Sequence, residues 1–148
     1  MKVYHDTITL ERDFDASAAE VFAAYADVKK REKWTTPEEG AEVQITACDF
    51  QTGGSETARC GTKGAMQYDL SLTYHMVEQE KLIVFSEELR EGDNVLTVAL
   101  ITFEISEGEN GKAHLNLTDQ VTSFVGKDGA EGHRHGYSLA LANLAAVA

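Results

Sequence analysis

The sequence predicts an α+β domain in which a curved antiparallel sheet wraps around a long C-terminal helix. Three observations predict it. Period-two alternation of apolar and polar residues recurs in segments joined by short turns, the pattern of antiparallel strands with one buried face. Two short helical segments fall between the first and second strands. A stretch that is apolar nearly all round closes the chain from Tyr137 onward, and such a helix is buried on more than one side.

The elements follow in order. In residues 3–14, Tyr4, Ile8, Leu10 and Phe14 share one parity and Thr7, Thr9, Glu11 and Asp13 the other. Ser17-Ala-Ala-Glu20 is a capping box that opens a helix, with Val21, Phe22 and Tyr25 as its apolar stripe. Asp27 caps a second short helix, which Trp34 and Pro37 end. That helix carries Lys29–Lys33, the only basic cluster, which reads as a solvated face. Residues 42–50 and 56–63 read as strands around the turn at 51–55. Residues 65–78 are the clearest strand, with Met66, Tyr68, Leu70, Leu72, Tyr74 and Met76 on one face. Residues 81–90, 95–106 and 113–124 complete six strands after the helices, separated by turn chemistry at 91–94 and 108–111. Asp128-Gly-Ala-Glu131 reads as a second acidic cap that opens the last helix. The predicted order is β-α-α-β6-α. One long helix against one curved sheet leaves a cavity unless large side chains fill it.

The chain of 148 residues contains one proline and no linker, so residues 1–148 form a single domain. Thirteen basic residues against 25 acidic ones give a formal net charge of −12. A field of that sign repels phosphate backbones and anionic lipid, so neither nucleic acid nor a membrane surface is an expected partner. No apolar run reaches the roughly 18 residues a bilayer span needs. Charges at Lys2, Asp6, Glu11, Arg12, Asp13 and Asp15 leave no apolar signal region near the N-terminus, and a cytoplasmic location is the expectation.

Four stretches in this order carry a resemblance. They are Phe14–Phe22 at the first strand-to-helix junction, the paired glycines Gly53-Gly54, Leu82–Phe85 followed by Glu87-Glu88, and Leu117–Val121 followed by Asp128–Tyr137. Together they resemble the START-related SRPBCC superfamily, over residues 5–148. Within it the chain resembles bacterial homologues of the activator of the 90-kDa heat-shock-protein ATPase, which are grouped with polyketide-cyclase-like proteins. The resemblance implies the helix-grip fold. It implies no single catalytic set, since members bind lipids, hormones or polyketides and some catalyse cyclisation or dehydration. Many relatives carry a tandem tryptophan and a glycine-proline after the second helix, where this chain has Lys33-Trp34-Thr35-Thr36-Pro37.

The candidate site is that cavity, with Trp34, Tyr68, Tyr74, Phe85 and Tyr137 as its expected ligand-binding lining. Buried phenols need hydrogen-bond partners, so two tyrosines on one sheet face suggest a cavity with polar points. No catalytic triad, metal site or cofactor is expected. Gly53-Gly54-Ser55 lacks the spacing and lysine of a phosphate loop. His133 and His135 share a face on a strand but not on a helix, and read as a polar, solvated helix start. Cys48 and Cys60 are each six residues from Gly54. A hairpin folded there places them opposite one another, although cytosolic conditions favour reduced thiols. Asp49, Glu56, Asp69, Glu87, Glu88, Glu104 and Asp119 read as solvated carboxylates, except that Asp119 lies between Leu117 and Val121 on their parity and needs a partner if it faces inward.

Three functions follow in order: binding of a small hydrophobic or amphipathic molecule, a cyclase- or dehydratase-type enzyme using a cavity Tyr, His or carboxylate, and a co-chaperone-like interaction module with no usable cavity. The apolar surplus of the last helix also predicts a weak homodimer, with Leu139 and Val147 near the contact.

Overall fold

The computed structural model describes residues 1–148. Its elements are β1 (Tyr4–Asp13), α1 (Ala18–Ala26), α2 (Val28–Trp34), β2 (Ala41–Cys48), β3 (Ser55–Thr62), β4 (Ala65–Glu78), β5 (Leu82–Glu91), β6 (Asn94–Glu107), β7 (Ala113–Ser123) and α3 (Lys127–Val147). The seven strands form one antiparallel sheet in the order β1-β7-β6-β5-β4-β3-β2. Short turns join β2 through β7 as successive hairpins. The α1–α2 excursion separates β1 from β2 and leaves β1 to pair with β7, from Tyr4↔Ser123 to Asp13↔His114.

Local chemistry sets the ends of the helices. Ser17 and Glu20 form the capping box of α1, and the Asp27 carboxylate accepts from the Lys30 amide at 3.1 Å at the start of α2. The expected acidic cap of α3 is absent. The N-cap is Gly126, with φ +76° and no side-chain cap, while Asp128 lies within the first turn. The Gly126 amide instead donates to the Lys2 carbonyl at 2.8 Å, which fixes the turn out of β7 one residue earlier than the sequence pattern predicts.

The turn between β2 and β3 is sewn to β4. Gly53 donates to the Tyr74 carbonyl and Tyr74 donates to the Gly54 carbonyl, both at 2.8 Å. A Cβ on Gly54 would lie 2.0 Å from the Asp49 carbonyl oxygen, so only glycine fits. This hairpin does not put the two cysteines opposite each other. Cys48 pairs with Glu56 and Cys60 with Val43, because the hairpin is not centred on Gly54 and its register shifts between Ile45 and Ala47. Both thiols are free.

Four of the strand pairs contain register shifts, at Ile45/Ala47, Cys60/Thr62, Tyr74/Met76 and Leu89/Arg90. Bulges bend and twist a strand, and these serve the curvature of the sheet. The one after Tyr74 also reverses the expected parity of β4. Met76, predicted inward, is exposed, and Val77 packs on the core in its place.

The core lies between the concave sheet face and the three helices. Ile8, Tyr74, Ile83, Ile101 and Leu115 are 0% exposed on the sheet, against Val21 and Leu144 at 1% on α1 and α3. Trp34 closes α2 onto α1 by donating from Nε1 to the Ala24 carbonyl at 3.0 Å. Asn143 Nδ2 donates to the Trp34 and Thr36 carbonyls, each at 3.3 Å, and ties α3 to the end of α2. Near its N-terminus α3 approaches β7 so closely that a Cβ on Gly129 would lie 2.2 Å from Ser123 Oγ. The helix is therefore pinned at both ends, and the sheet falls away from it between them.

Candidate functional site: a cavity between the sheet and α3

The space between those two pins is a cavity of about 730 Å³. Its walls are largely apolar, with Leu70 and Leu72 of β4, Phe103 of β6 and Ala140 of α3 among them. Of the five residues expected there, Trp34, Tyr68, Phe85 and Tyr137 line it and Tyr74 does not. Tyr74 is 0% exposed. It points inward as its parity requires, but it lies beneath the floor, where its hydroxyl is already engaged.

That hydroxyl belongs to a buried polar cluster centred on Arg31. Nη1 and Nη2 of Arg31 donate to the two carboxylate oxygens of Glu56, at 2.8 and 2.7 Å. Nη1 also donates to the Tyr74 hydroxyl at 3.0 Å, and Tyr74 in turn donates to Glu56 Oε1 at 3.0 Å. With the Tyr74 proton so placed, Tyr25 donates to Tyr74 Oη at 3.1 Å. The guanidinium carbon sits 4.5 Å from the centroid of the Tyr25 ring. Burial drives both phenols above their ordinary pKa, so neither ionises at any physiological pH. Arg31 and Glu56 were both expected on solvated surface. They are 3% and 4% exposed, because α2 lies against β2 and turns Arg31 inward while its lysine neighbours stay outside.

A second polar cluster lies under α3. His133 donates from Nδ1 to Asp119 Oδ2 at 2.6 Å. Its Nε2 lies 3.1 Å from Thr97 Oγ1 and 3.9 Å from Glu87 Oε1. The other oxygen of Glu87 accepts from the Tyr137 hydroxyl at 3.2 Å. Burial raises the Glu87 pKa, and the neighbouring His133 only partly offsets it. Burial alone would lower the His133 pKa. The Asp119 hydrogen bond and the Glu87 and Asp119 charges outweigh that and leave it raised. Tyr137 is pushed well above the ordinary phenol range, first by burial and then by Glu87.

These positions correct three expectations. Glu56 and Asp119 are buried and Glu87 nearly so, whereas the sequence pattern predicts solvated carboxylates at Glu56 and Glu87. Asp119 does face inward, and its partner is His133. His133 is not a solvated helix start but 9% exposed, whereas His135 is exposed. The signal for the pairing was present: Asp119 on the inward parity of a strand demands a cation or donor, and α3 is the element that covers it. No comparable signal marked Arg31 or Glu56, each of which sits among charged or polar neighbours in sequence.

The cavity mouth adds Glu38, Glu39, Glu42 and Asp128. The lining thus contains six carboxylates, counting Glu56 and Glu87, against the two cationic-type groups Arg31 and His133.

Several known proteins share this fold. The sequence model of the family described as Activator of Hsp90 ATPase homolog 1-like protein matches residues 15–148. The Mll3558 protein from Rhizobium loti is 30% identical, each chain is covered in full, and the structures superpose with a TM-score of 0.86. A protein from Rhizobium leguminosarum is 23% identical over 99% of this chain and 95% of its own, with a TM-score of 0.80. DynU16, a protein in the dynemicin biosynthetic locus, is 15% identical over 95% of this chain and 46% of its own, with a TM-score of 0.70. No curated protein matches the chain.

Proposed function

The chain belongs to the Activator of Hsp90 ATPase homolog 1-like family, and from that premise we propose that it binds a small hydrophobic or amphipathic molecule between its sheet and α3. The single observation that carries this reading is the cavity itself. Its volume of about 730 Å³ lies within the roughly 300–1,000 Å³ of small-molecule sites, and its apolar walls with a few fixed polar groups match their usual chemistry. Trp34, Tyr68, Phe85 and Tyr137 supply aromatic surface, while Tyr137, Glu87 and His133 supply orientation. Tyr74 acts one layer behind, by holding the Arg31–Glu56 pair. An interaction module that works through its outer surface has no need of such a hollow, which places the co-chaperone-like reading behind this one.

Fluorescence of prodan, an uncharged environment-sensitive dye, tests the proposal. The wild type enhances and blue-shifts the dye with saturable affinity. Ala140→Phe and, independently, Leu70→Trp fill the cavity from opposite walls and abolish the response while circular dichroism stays native. Equal dye binding by both folded variants overturns the proposal.

One observation favours a second reading as an enzyme of cyclase or dehydratase type. Glu87, held by Tyr137 and close to the Asp119–His133 pair, is a carboxyl of raised pKa facing an apolar cavity, as general acid–base groups often are. Turnover of a β-hydroxy carbonyl compound that is lost in Glu87→Gln would establish it.

A further inference from the structure

The charges around the cavity say more than that it holds something apolar. Arg31 is matched by Glu56 at 2.7 and 2.8 Å. His133 is matched by Asp119 at 2.6 Å. Glu87 is left over. It is a carboxylate on the cavity wall with no cation of its own, and its nearest one, His133, stands 3.9 Å away and is already committed. Tyr137 donates to Oε2 of Glu87, which leaves Oε1 of this cavity-lining residue with no donor within hydrogen-bond distance. The mouth repeats the sign, since Glu38, Glu39, Glu42 and Asp128 line it and no lysine does.

We propose that the occupant of this cavity is an amphipathic amine, with its ammonium group against Glu87 Oε1 and its apolar body over Leu70, Leu72 and Ala140. The inference rests on the ligand-binding reading and narrows it. The physical reason is charge balance in a water-poor space. A buried carboxylate without a counter-ion is costly, and an incoming ammonium supplies that counter-ion together with a donor for the open oxygen. A fatty acid would bring a second negative charge past four carboxylates and set it beside Glu87. Like charges so juxtaposed oppose binding. An alcohol of equal length gains the apolar contacts and nothing from the charge.

The groups that face Glu87 fix the pH behaviour. His133 and Tyr137 face it from α3, Asp119 from β7, Glu56 and Cys60 from β3, and Tyr25 from α1. Arg31 on α2 is held by Glu56. The ammonium binds the ionised carboxylate, so binding near the raised pKa of Glu87 expels a proton, and acid protonates Glu87 and removes the attraction.

The test is competition against prodan by three ten-carbon probes, decylamine, decan-1-ol and decanoate, at several pH values. At neutral pH decylamine is expected to bind about tenfold tighter than decan-1-ol, one ordinary charge interaction, with decanoate weakest. In Glu87→Gln the amine-to-alcohol ratio falls to about one. Should that variant fail to fold, the wild type still decides, because the same ratio falls toward one as pH drops through the raised pKa of Glu87. Equal affinity of amine and alcohol, an advantage that survives Glu87→Gln or acid, or preference for decanoate each overturns the inference while leaving the cavity reading intact. No prodan binding at all overturns both.

Discussion

Arg31 and Glu56 form a bidentate ion pair with side chains only 4% and 3% exposed. Their attraction offsets a large desolvation cost, so the pair is worth little against an apolar replacement, but breaking it strands a buried charge. Arg31→Met is therefore expected to lower stability by about 3–5 kcal/mol in urea unfolding. The double variant Arg31→Met/Glu56→Met should recover much of that loss. A double variant as unstable as the sum of both single changes would show that the pair is a net stabiliser rather than a matched liability. Glu87 makes a pH prediction. Between the ordinary glutamate value of about 4.3 and its raised value in the fold, the folded state holds more protons than the unfolded one. Stability at this group therefore falls as pH rises through that window. His133 has the same sign above about 6.5, since its folded pKa is also raised. Glu87→Gln removes the first contribution, so the stability of the variant relative to the wild type should increase from pH 4 toward neutrality. A constant difference across that range would contradict the burial assigned to this carboxyl. Asp119 was legible because a strand has only two faces. Arg31 was not, because on a short helix rich in lysine the residue that turns inward is chosen by the packing of α2 on β2, a long-range contact.

At the scale of elements, strand parity and turn chemistry were sufficient for the order and type of every helix and strand, since alternation and caps are local properties. What they could not show were the places where one element bends to meet another. The bulge after Tyr74 turns Met76 outward, and Tyr74 beside it accepts from the Gly53 amide and donates to the Gly54 carbonyl, in a turn two strands earlier in the chain. Likewise α3 is preceded by Gly126 at its N-cap rather than by an acidic cap, where the Gly126 amide donates to the Lys2 carbonyl. The glycines of α3 test the pinning directly. Nothing lies within 4 Å of a Cβ built on Gly132 or Gly136. Replacing either by alanine should stabilise the protein by ~0.5–1 kcal/mol through helix propensity. Gly129→Ala gains the same propensity but forces its Cβ to 2.2 Å from Ser123 Oγ, and a net loss of ~1–3 kcal/mol is expected. Thermal unfolding of the three variants distinguishes the sites. Three equal gains would mean that α3 does not depend on that close approach.

For the whole molecule, the formal charge of −12 and the lining of the cavity have the same sign, and both act against anionic ligands. The convex outer surface carries its own apolar residues, including Val98 and Leu100 at 39% and 40% exposure, while Val147 at the end of α3 is 45% exposed. Weak self-association through the α3 flank is a proposal: sedimentation at high salt is expected to show a dimer that Leu139→Glu abolishes, and a concentration-independent monomer would overturn it. A dimer indifferent to that change would assign the contact elsewhere. A ligand on the concave side of the sheet, under α3, is detectable residue by residue in proton–nitrogen NMR of the labelled protein titrated with prodan. Saturable shift changes are expected to concentrate on Tyr68, Leu70, Leu72, Tyr137 and Ala140. Changes confined to the outer face around Val98 and Leu100, or no saturable changes at all, would contradict it.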